Sequence, residues 1–324
     1  MSHRIGVIRG GTSSEYPISL KTGAAVLNAL REEGYEAIDI LLDKDGILHI
    51  KGIPATLEQL PHHVDLAWNA LHGHFGEDGK LQQLLEATGV PYTGSRALAS
   101  AMGANKAVAK ETARSLGLQV PPSLLVNPAE ESDSVAAITQ RIYRTMAPPW
   151  VVKPLSGGSS INTYLVHTPL ELSQIVDEAM LRGELFLVEQ YIYGREANVS
   201  IIDGFRGQEH YGAPVVEVQK PGRGIFTHEM KYGGSEPQAR VGGSFRADER
   251  DVLSRHAKAM HELLGAEDVS QSEFIINPYG KIYFLEIDTN PALTDTSLLP
   301  LSLQSVGSSL RELIAHIVKR RLGS

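Results

Sequence analysis

Two short segments carry three acidic side chains at strand-like spacing: Gln271-Ser272-Glu273-Phe274-Ile275-Ile276 and Tyr283-Phe284-Leu285-Glu286-Ile287-Asp288. With a side-chain period of two, Glu286 and Asp288 point to one face, and Gln271 shares a face with Glu273. Carboxylates gathered on one sheet face raise one another's pKa unless a cation neutralises them, and hard oxygen donors select magnesium. The rival reading is a solvated acidic face. Regular alternation would place Phe284 on the same face, flanked by Ile282, which argues against it.

A second candidate is Lys153, an ammonium in the otherwise apolar run Trp150-Val151-Val152-Lys153-Pro154. The loop that follows, 155–160, offers small residues, backbone N–H groups and the hydroxyls of Ser159 and Ser160, which suit phosphate oxygens. No Gly-Lys-Ser/Thr closes it and no helix follows, so it is not a P-loop. Taken alone it also fits an ordinary Gly/Ser turn. Further on, the backbone of Gln190 and Ile192 offers an edge for an adenine rim. Glu189 and Glu196 would accept from amino and ribose hydroxyl groups, although a plain strand and turn fits that segment at least as well. Neither a serine-histidine-acid elbow nor a histidine pair at helical metal spacing is present.

The scaffold for these groups is legible in apolar spacing and turn signals. Residues 4–8 form an apolar run ending at Gly10-Gly11, and a helical pattern follows over 19–33. Strands over 37–42 and 64–71, a turn at Lys44-Asp45-Gly46, and a helix over 80–87 with Leu81, Leu84 and Leu85 on one side complete an α/β unit with a largely parallel sheet. A helix-like stretch over 105–116 runs into Gln119-Val120-Pro121-Pro122, where proline stops it and a domain junction is expected. Residues 150–154 and 163–166 pair as a hairpin with the Gly/Ser loop at its tip. Thr168, Pro169 and Glu171 start a helix with Leu172, Ile175, Val176 and Ala179 as its apolar stripe. Strands over 185–191 and 197–202, a helix over 252–264, and a hairpin of 272–276 with 281–287 follow, and a last helix begins at the capping box of Ser309 and Glu312. Residues 220–245, rich in glycine and arginine, read either as a mobile cover or as irregular surface.

The 324 residues, 42% hydrophobic and 21% charged, suffice for two or three packed units. Thirty basic residues against 38 acidic ones leave a net charge of −8, so the whole chain attracts neither nucleic acid nor an anionic membrane. The absence of cysteine excludes disulfides, thiolate catalysis and Cys-ligated metals, and it fits a reducing compartment, with the cytoplasm as the expected location. No apolar stretch is long enough for a signal peptide or a spanning helix.

The motifs Gly10-Gly11-Thr12-Ser13-Ser14-Glu15, His72-Gly73-His74-Phe75-Gly76-Glu77-Asp78-Gly79, Pro91-Tyr92-Thr93-Gly94-Ser95, Asn105-Lys106, Val152-Lys153-Pro154, Gly158-Ser159-Ser160, Glu229-Met230-Lys231-Tyr232 and the segment 286–298 follow one another along the chain. Together they resemble the D-alanine:D-alanine ligases of the ATP-grasp superfamily, and several motifs in order are more specific than any one of them. The resemblance implies an α/β fold with an N-terminal parallel-sheet domain (1–104). A two-lobed ATP-grasp fold of α+β type would follow, with a central domain (105–193) and a C-terminal domain holding metal and substrate sites (194–324). It implies ATP-dependent joining of two D-alanines for peptidoglycan, through an acylphosphate and a tetrahedral intermediate, by a cytoplasmic homodimer.

By the same resemblance, Lys106, Lys153 and Lys231 would bind ATP, Ser159 and Ser160 would cover its phosphates, and Glu189, Gln190, Ile192 and Glu196 would hold the nucleoside. Glu273, Glu286 and Asp288 would hold two magnesium or manganese ions. Glu15 would meet the ammonium of the first D-alanine with His72 nearby, and Ser297 and Leu298 would receive the carboxylate of the second. Ser159 and Tyr232 would tie the covering loop to Glu15. Tyr232 follows the dipeptide-forming pattern, not that of members making the D-lactate ester. Four positions depart from the family pattern: Gln271 replaces arginine, Asp288 asparagine, and Ala292 and Asn162 glycine. Ala292 keeps a backbone N–H for a developing oxyanion and Asp288 is at least as good a metal ligand, whereas Gln271 puts a neutral amide where a guanidinium is expected. These departures keep two other readings open: an ATP-grasp ligase for other amino acids, and a catalytically weak nucleotide-binding regulator.

Overall fold

A computed structural model describes residues 3–157, 162–219 and 238–323. Strand β1 (Arg4–Gly10) is flanked in parallel by β2 (Glu36–Leu42) and β5 (Leu66–Asn69). Its apolar run is nearly continuous because both faces are covered. The chain then turns at Gly10 and Gly11, whose φ values of +96° and +98° strain any other residue. Helix α1 (Tyr16–Glu32) follows, and it starts earlier than its apolar pattern because Pro17 suits a first turn. A hairpin of β3 (Leu48–Ile50) and β4 (Ile53–Ala55) extends the sheet to the order β4-β3-β2-β1-β5. Its centre is parallel and its edge antiparallel; three-residue strands are too short to show alternation in sequence. Helices α2 (Leu60–His63) and α3 (Lys80–Thr88) pack beside it, with Leu81 and Leu85 buried but Leu84 exposed, so the apolar side of α3 is narrower than expected.

Helices α4 (Ala97–Ala104) and α5 (Lys106–Ser115) come next, and Asn105 between them accepts from the backbone N–H of Ala107 and Val108 as the cap of α5. A second, wholly antiparallel sheet is made of β6 (Ser123–Val126), β7 (Trp150–Pro154), β8 (Tyr164–Val166) and β9 (Phe186–Gln190), in the order β6-β9-β7-β8. Helices α6 (Val135–Thr145) and α7 (Pro169–Arg182) pack against it through Ile138, Ile142, Leu172 and Val176 around Trp150. Thr168 caps α7 by accepting from Glu171 N, and Glu171 accepts from His167 N in return.

The third sheet contains β10 (Arg195–Asp203), β11 (His210–Gly212), β12 (Val216–Gln219), β13 (Gln238–Val241), β14 (Val269–Ile276) and β15 (Ile282–Asp288). Its order is β13-β12-β10-β14-β15, with β11 beside β10. Helix α8 (Ala247–Leu264) and helix α5 cover one face of it, so Ala109 and Ala113 of α5 share a core with Leu253, Met260, Phe274 and Phe284. Helices α9 (Leu298–Gln304) and α10 (Leu310–Leu322) return to the first sheet, where Leu299, Leu303, Leu313, Ile314 and Val318 meet Ile5, Val7, Val26, Leu30 and Trp68.

Asp203, at the end of β10, ties these layers together. Its carboxylate lies 2.8 Å from His210 Nδ1 and 2.9 Å from His261 Nε2, and accepts from Asp268 N at 2.9 Å and Arg320 at 3.1 Å. Those donors hold it far below the usual carboxylate range in spite of burial. Among the described residues no helix is long and apolar enough to cross a membrane.

Candidate active site

Strand β15 does not alternate regularly. Phe284 pairs with Phe274, yet the next pair is Glu286 with Glu273, so Leu285 is an extra residue and the strand bulges there. The bulge reverses the phase: Phe284 and Ile287, three apart, both lie in the core, while Glu286 and Asp288 line a cleft. Phe284 therefore does not share the acidic face, contrary to the regular-strand expectation. Gln271 stands opposite Asp288, Glu273 opposite Glu286, and Asn198 of β10 opposite Glu273 from the other side. Like charges directly opposite across antiparallel strands repel. Burial first, then the charge of Glu77, pushes the Asp288 carboxyl up to about 7. This donor set fits a hard divalent cation, which would remove that repulsion.

Lys106 and Lys153 approach from a second direction. Lys106, at the start of α5, donates to the Gly157 carbonyl and lies 3.8 Å from Glu286 Oε2. One turn on, Lys110 Nζ is 3.0 Å from Glu189 Oε1, and Lys153 Nζ is 3.0 Å from Glu189 Oε2. Burial lowers Lys106 and brings Lys110 down to about 8. For Lys153 burial acts downward too, but the charges of Glu189 and Glu286 outweigh it and hold the ammonium above its ordinary value. Glu189 was expected beside adenine; instead, with 3% exposure, it is enclosed between two ammonium groups. The N–H of Gln190 is likewise already donated to the Pro122 carbonyl at 2.9 Å, so it does not serve a base edge. Neither these two residues nor Lys153 and Ile192 line the cleft; Glu196 does.

The opposite wall comes from the first sheet. Glu15 is buried just before α1 and against Gly73, with Ser13 Oγ accepting from its N–H. His72 is held between Glu77 Oε1 at 3.1 Å and Thr22 Oγ1 at 3.0 Å. Burial lowers its pKa although Asp288 and Glu15 oppose this, and burial pushes Glu77 up to about 7. From the third direction come Ala292 and the start of α9, where Ser297 Oγ accepts from Thr294 N at 3.1 Å. These three walls line a single open cleft. Ser159, Ser160, Lys231 and Tyr232 lie outside the described residues.

The family description "D-ala D-ala ligase N-terminus" matches residues 48–95, and "D-ala D-ala ligase C-terminus" matches residues 112–319. A D-alanine--D-alanine ligase of Pelotomaculum thermopropionicum is 34% identical over 98% of this chain and 96% of its own length. One of Geobacter sulfurreducens is 35% identical over 97% and 93%. The chain belongs to the D-alanine:D-alanine ligase family. The crystal structure of the Bacillus anthracis D-alanine--D-alanine ligase complexed with ATP superposes with a TM-score of 0.79 at 26% identity, covering 99% of this chain and 98% of that one.

Three groups to which the sequence reading assigned no role lie in or beside the cleft. Glu77 lies inside the quoted His72–Gly79 motif, but nothing in the spacing reveals that it folds back on His72. Lys110 follows Lys106 by four residues, a signal of a shared helix face. Asn198, 2% exposed, lines the cleft with a side-chain Nδ2 that has no hydrogen-bond partner among the described residues, and its Oδ1 accepts from Gln271 Nε2 at 3.4 Å. The Asn162 departure has a conformational account: its φ is +54°, a region that asparagine tolerates better than most residues when glycine is replaced.

Proposed function

We propose that this chain joins two D-alanines to D-alanyl-D-alanine at the expense of ATP, supplying a peptidoglycan precursor in the cytoplasm. One observation carries the reading: Glu15, His72, Lys106, Glu273, Glu286 and Asp288 all line a single cleft. An amino acid held by its ammonium at Glu15 would thus present its carboxylate towards the phosphate and metal side. Glu273, Glu286 and Asp288 would hold magnesium, which supplies neutralisation of phosphate charge.

Lys106, lining the cleft, and Lys153, buried close by, add positive charge near where the phosphates would lie. A carboxylate oxygen of the first D-alanine attacks the γ-phosphorus and ADP leaves. The neutral amine of the second then attacks the acylphosphate carbon, and phosphate departs from the tetrahedral intermediate, taking up the proton that the nitrogen gives up. Ser297 and Leu298, at the start of α9, orient the second carboxylate, since a helix start offers unpaired N–H groups. The backbone N–H of Ala292 and the Gln271 amide face the developing oxyanion. Gln271 is restrained by Ser200 at 3.3 Å and Asn198 at 3.4 Å, and this neutral pair favours a second reading, a ligase for another amino-acid pair. Phosphate release with a panel of D- and L-amino acids, scored for dipeptide by mass, decides between them. D-alanyl-D-alanine as the main product supports the first reading, and turnover only with other amino acids rejects it.

A further inference from the structure

Helix α5 carries two lysines one turn apart, and Lys106 alone of the two lines the cleft. Lys110 is 1% exposed. Its ammonium is 3.0 Å from Glu189 Oε1 and donates to the Leu285 carbonyl at 3.0 Å. Leu285 is the residue that the bulge leaves out of the β14–β15 pairing, so its carbonyl needs a donor from elsewhere. The other oxygen of Glu189 holds Lys153. A chain of contacts thus runs from the strand carrying Glu286, through Lys110 and Glu189, to Lys153 on the second sheet. Methionine could fill the same space, and burying an ammonium is costly, so packing alone does not call for the charge.

We propose that Lys110 is a positioning residue for nucleotide and metal: as counter-ion to Glu189 it leaves Lys153 available to phosphate, and as donor to Leu285 it fixes the bulge that aims Glu286. The proposal rests on the reading of the cleft as a site for ATP and magnesium. Lys106, Lys110 and Lys153 set against Glu189 leave an excess of two positive charges. Without Lys110 the excess is one, because Glu189 and Lys153 then neutralise each other. The Leu285 carbonyl simultaneously loses its donor, and the turn that carries Glu286 loosens. The amino-acid end is spared, since α1, which follows Glu15, and α9, which follows Ser297, pack in the first core, whereas α5 packs in the core of the third sheet.

The test uses Lys110→Met in the full chain, with calorimetric titration of MgATP beside steady-state kinetics. MgATP binding weakens by about tenfold or more, and the half-saturating magnesium concentration rises, because a fixed neighbouring charge is lost in a low-dielectric setting. The KM for D-alanine stays within about twofold of wild type, as expected for a perturbation that is not shared between subsites. Lys110→Gln keeps a donor for Leu285 without the charge; if the methionine variant does not fold, it carries the test and loses MgATP affinity in the same sense. Unchanged MgATP affinity in a folded variant, or an equal loss for D-alanine and MgATP, overturns the proposal. A wild-type chain that binds MgATP without making D-alanyl-D-alanine overturns the functional reading alone, and one that binds no MgATP overturns both.

Discussion

Replacing Asp288 with asparagine removes a charge and leaves the shape nearly unchanged, since the amide oxygen can still accept from Asn290 N, now 2.8 Å from Asp288 Oδ1. In the metal-free protein the Asp288 carboxyl is pushed from 3.8 up to about 7, by burial first and by the charge of Glu77 next. The folded state therefore keeps a proton that the unfolded chain releases, and wild-type stability falls as pH rises from about 4 through about 7. Roughly three pH units at about 1.4 kcal/mol each set a ceiling of about 4 kcal/mol. Partial exposure, together with Glu77, itself held up to about 7, reduces the expected effect to about 2 kcal/mol, or about 3 °C in unfolding midpoint for a chain of this length. Without metal at pH 8, Asp288→Asn should be more stable than wild type by that amount, and near pH 4 the two should coincide. Magnesium should close the gap by taking the place of the proton on the wild-type face. Unfolding curves from pH 4 to 8, with chelator and then with magnesium, give the comparison. Parallel pH profiles, or a variant less stable at pH 8 without metal, refute the account of the acidic face. In turnover, the variant should need more magnesium for half activity, because its donor set carries one charge less.

Lys153→Ala and Glu286→Ala should each abolish ligation, with added magnesium partly restoring only the second; equal losses insensitive to magnesium would remove Glu286 from the metal site. Gln271→Arg should raise kcat by about tenfold with little change in the KM for ATP, a part of the 2.7 to 4 kcal/mol that one oxyanion donor is typically worth; a lower kcat would show that another group already fills that role. Asp203→Ala should cost about 3 to 5 kcal/mol of stability in denaturant unfolding, because Arg320 and two histidines lose their common acceptor. A loss below about 1 kcal/mol would deny Asp203 its tie between layers.

The sequence showed most clearly those features that depend on local chemistry. The turn at Gly10-Gly11, the capped helix after Thr168 and the hairpin around Asn277 are each specified within a few residues, and they are found where spacing puts them. The bulge at Leu285 escaped because a single extra residue between two apolar positions still looks like alternation, and only pairing with β14 reveals the phase change. The two ammonium groups around Glu189 and the Pro122 carbonyl at the Gln190 N–H were hidden for a related reason: a strand edge in sequence gives no sign of which partners have already taken its groups. Helix α4, made largely of alanine and other small residues, has too little amphipathic contrast to announce itself. Lys110 was visible only as a spacing, since its meaning depends on Glu189 and on the Leu285 carbonyl, both far away in the chain.

The mixed origin of the first core has a consequence for how the protein is made. Ile5, Val26 and Trp68 are synthesised well before the side chains that complete their packing, among them Leu299, Leu313 and Val318. The nascent first sheet must wait with an apolar face uncovered, and the contacts that close it join segments far apart in the sequence, the kind of pairing that slows folding and invites chaperone protection. The helix start at Ser297 is fastened to that same core, through Leu299 and Leu303, as is α1, which follows Glu15. The two groups proposed to hold the amino acids therefore come into register only once this late segment has emerged, so that a chain stopped short of it carries no assembled substrate cleft.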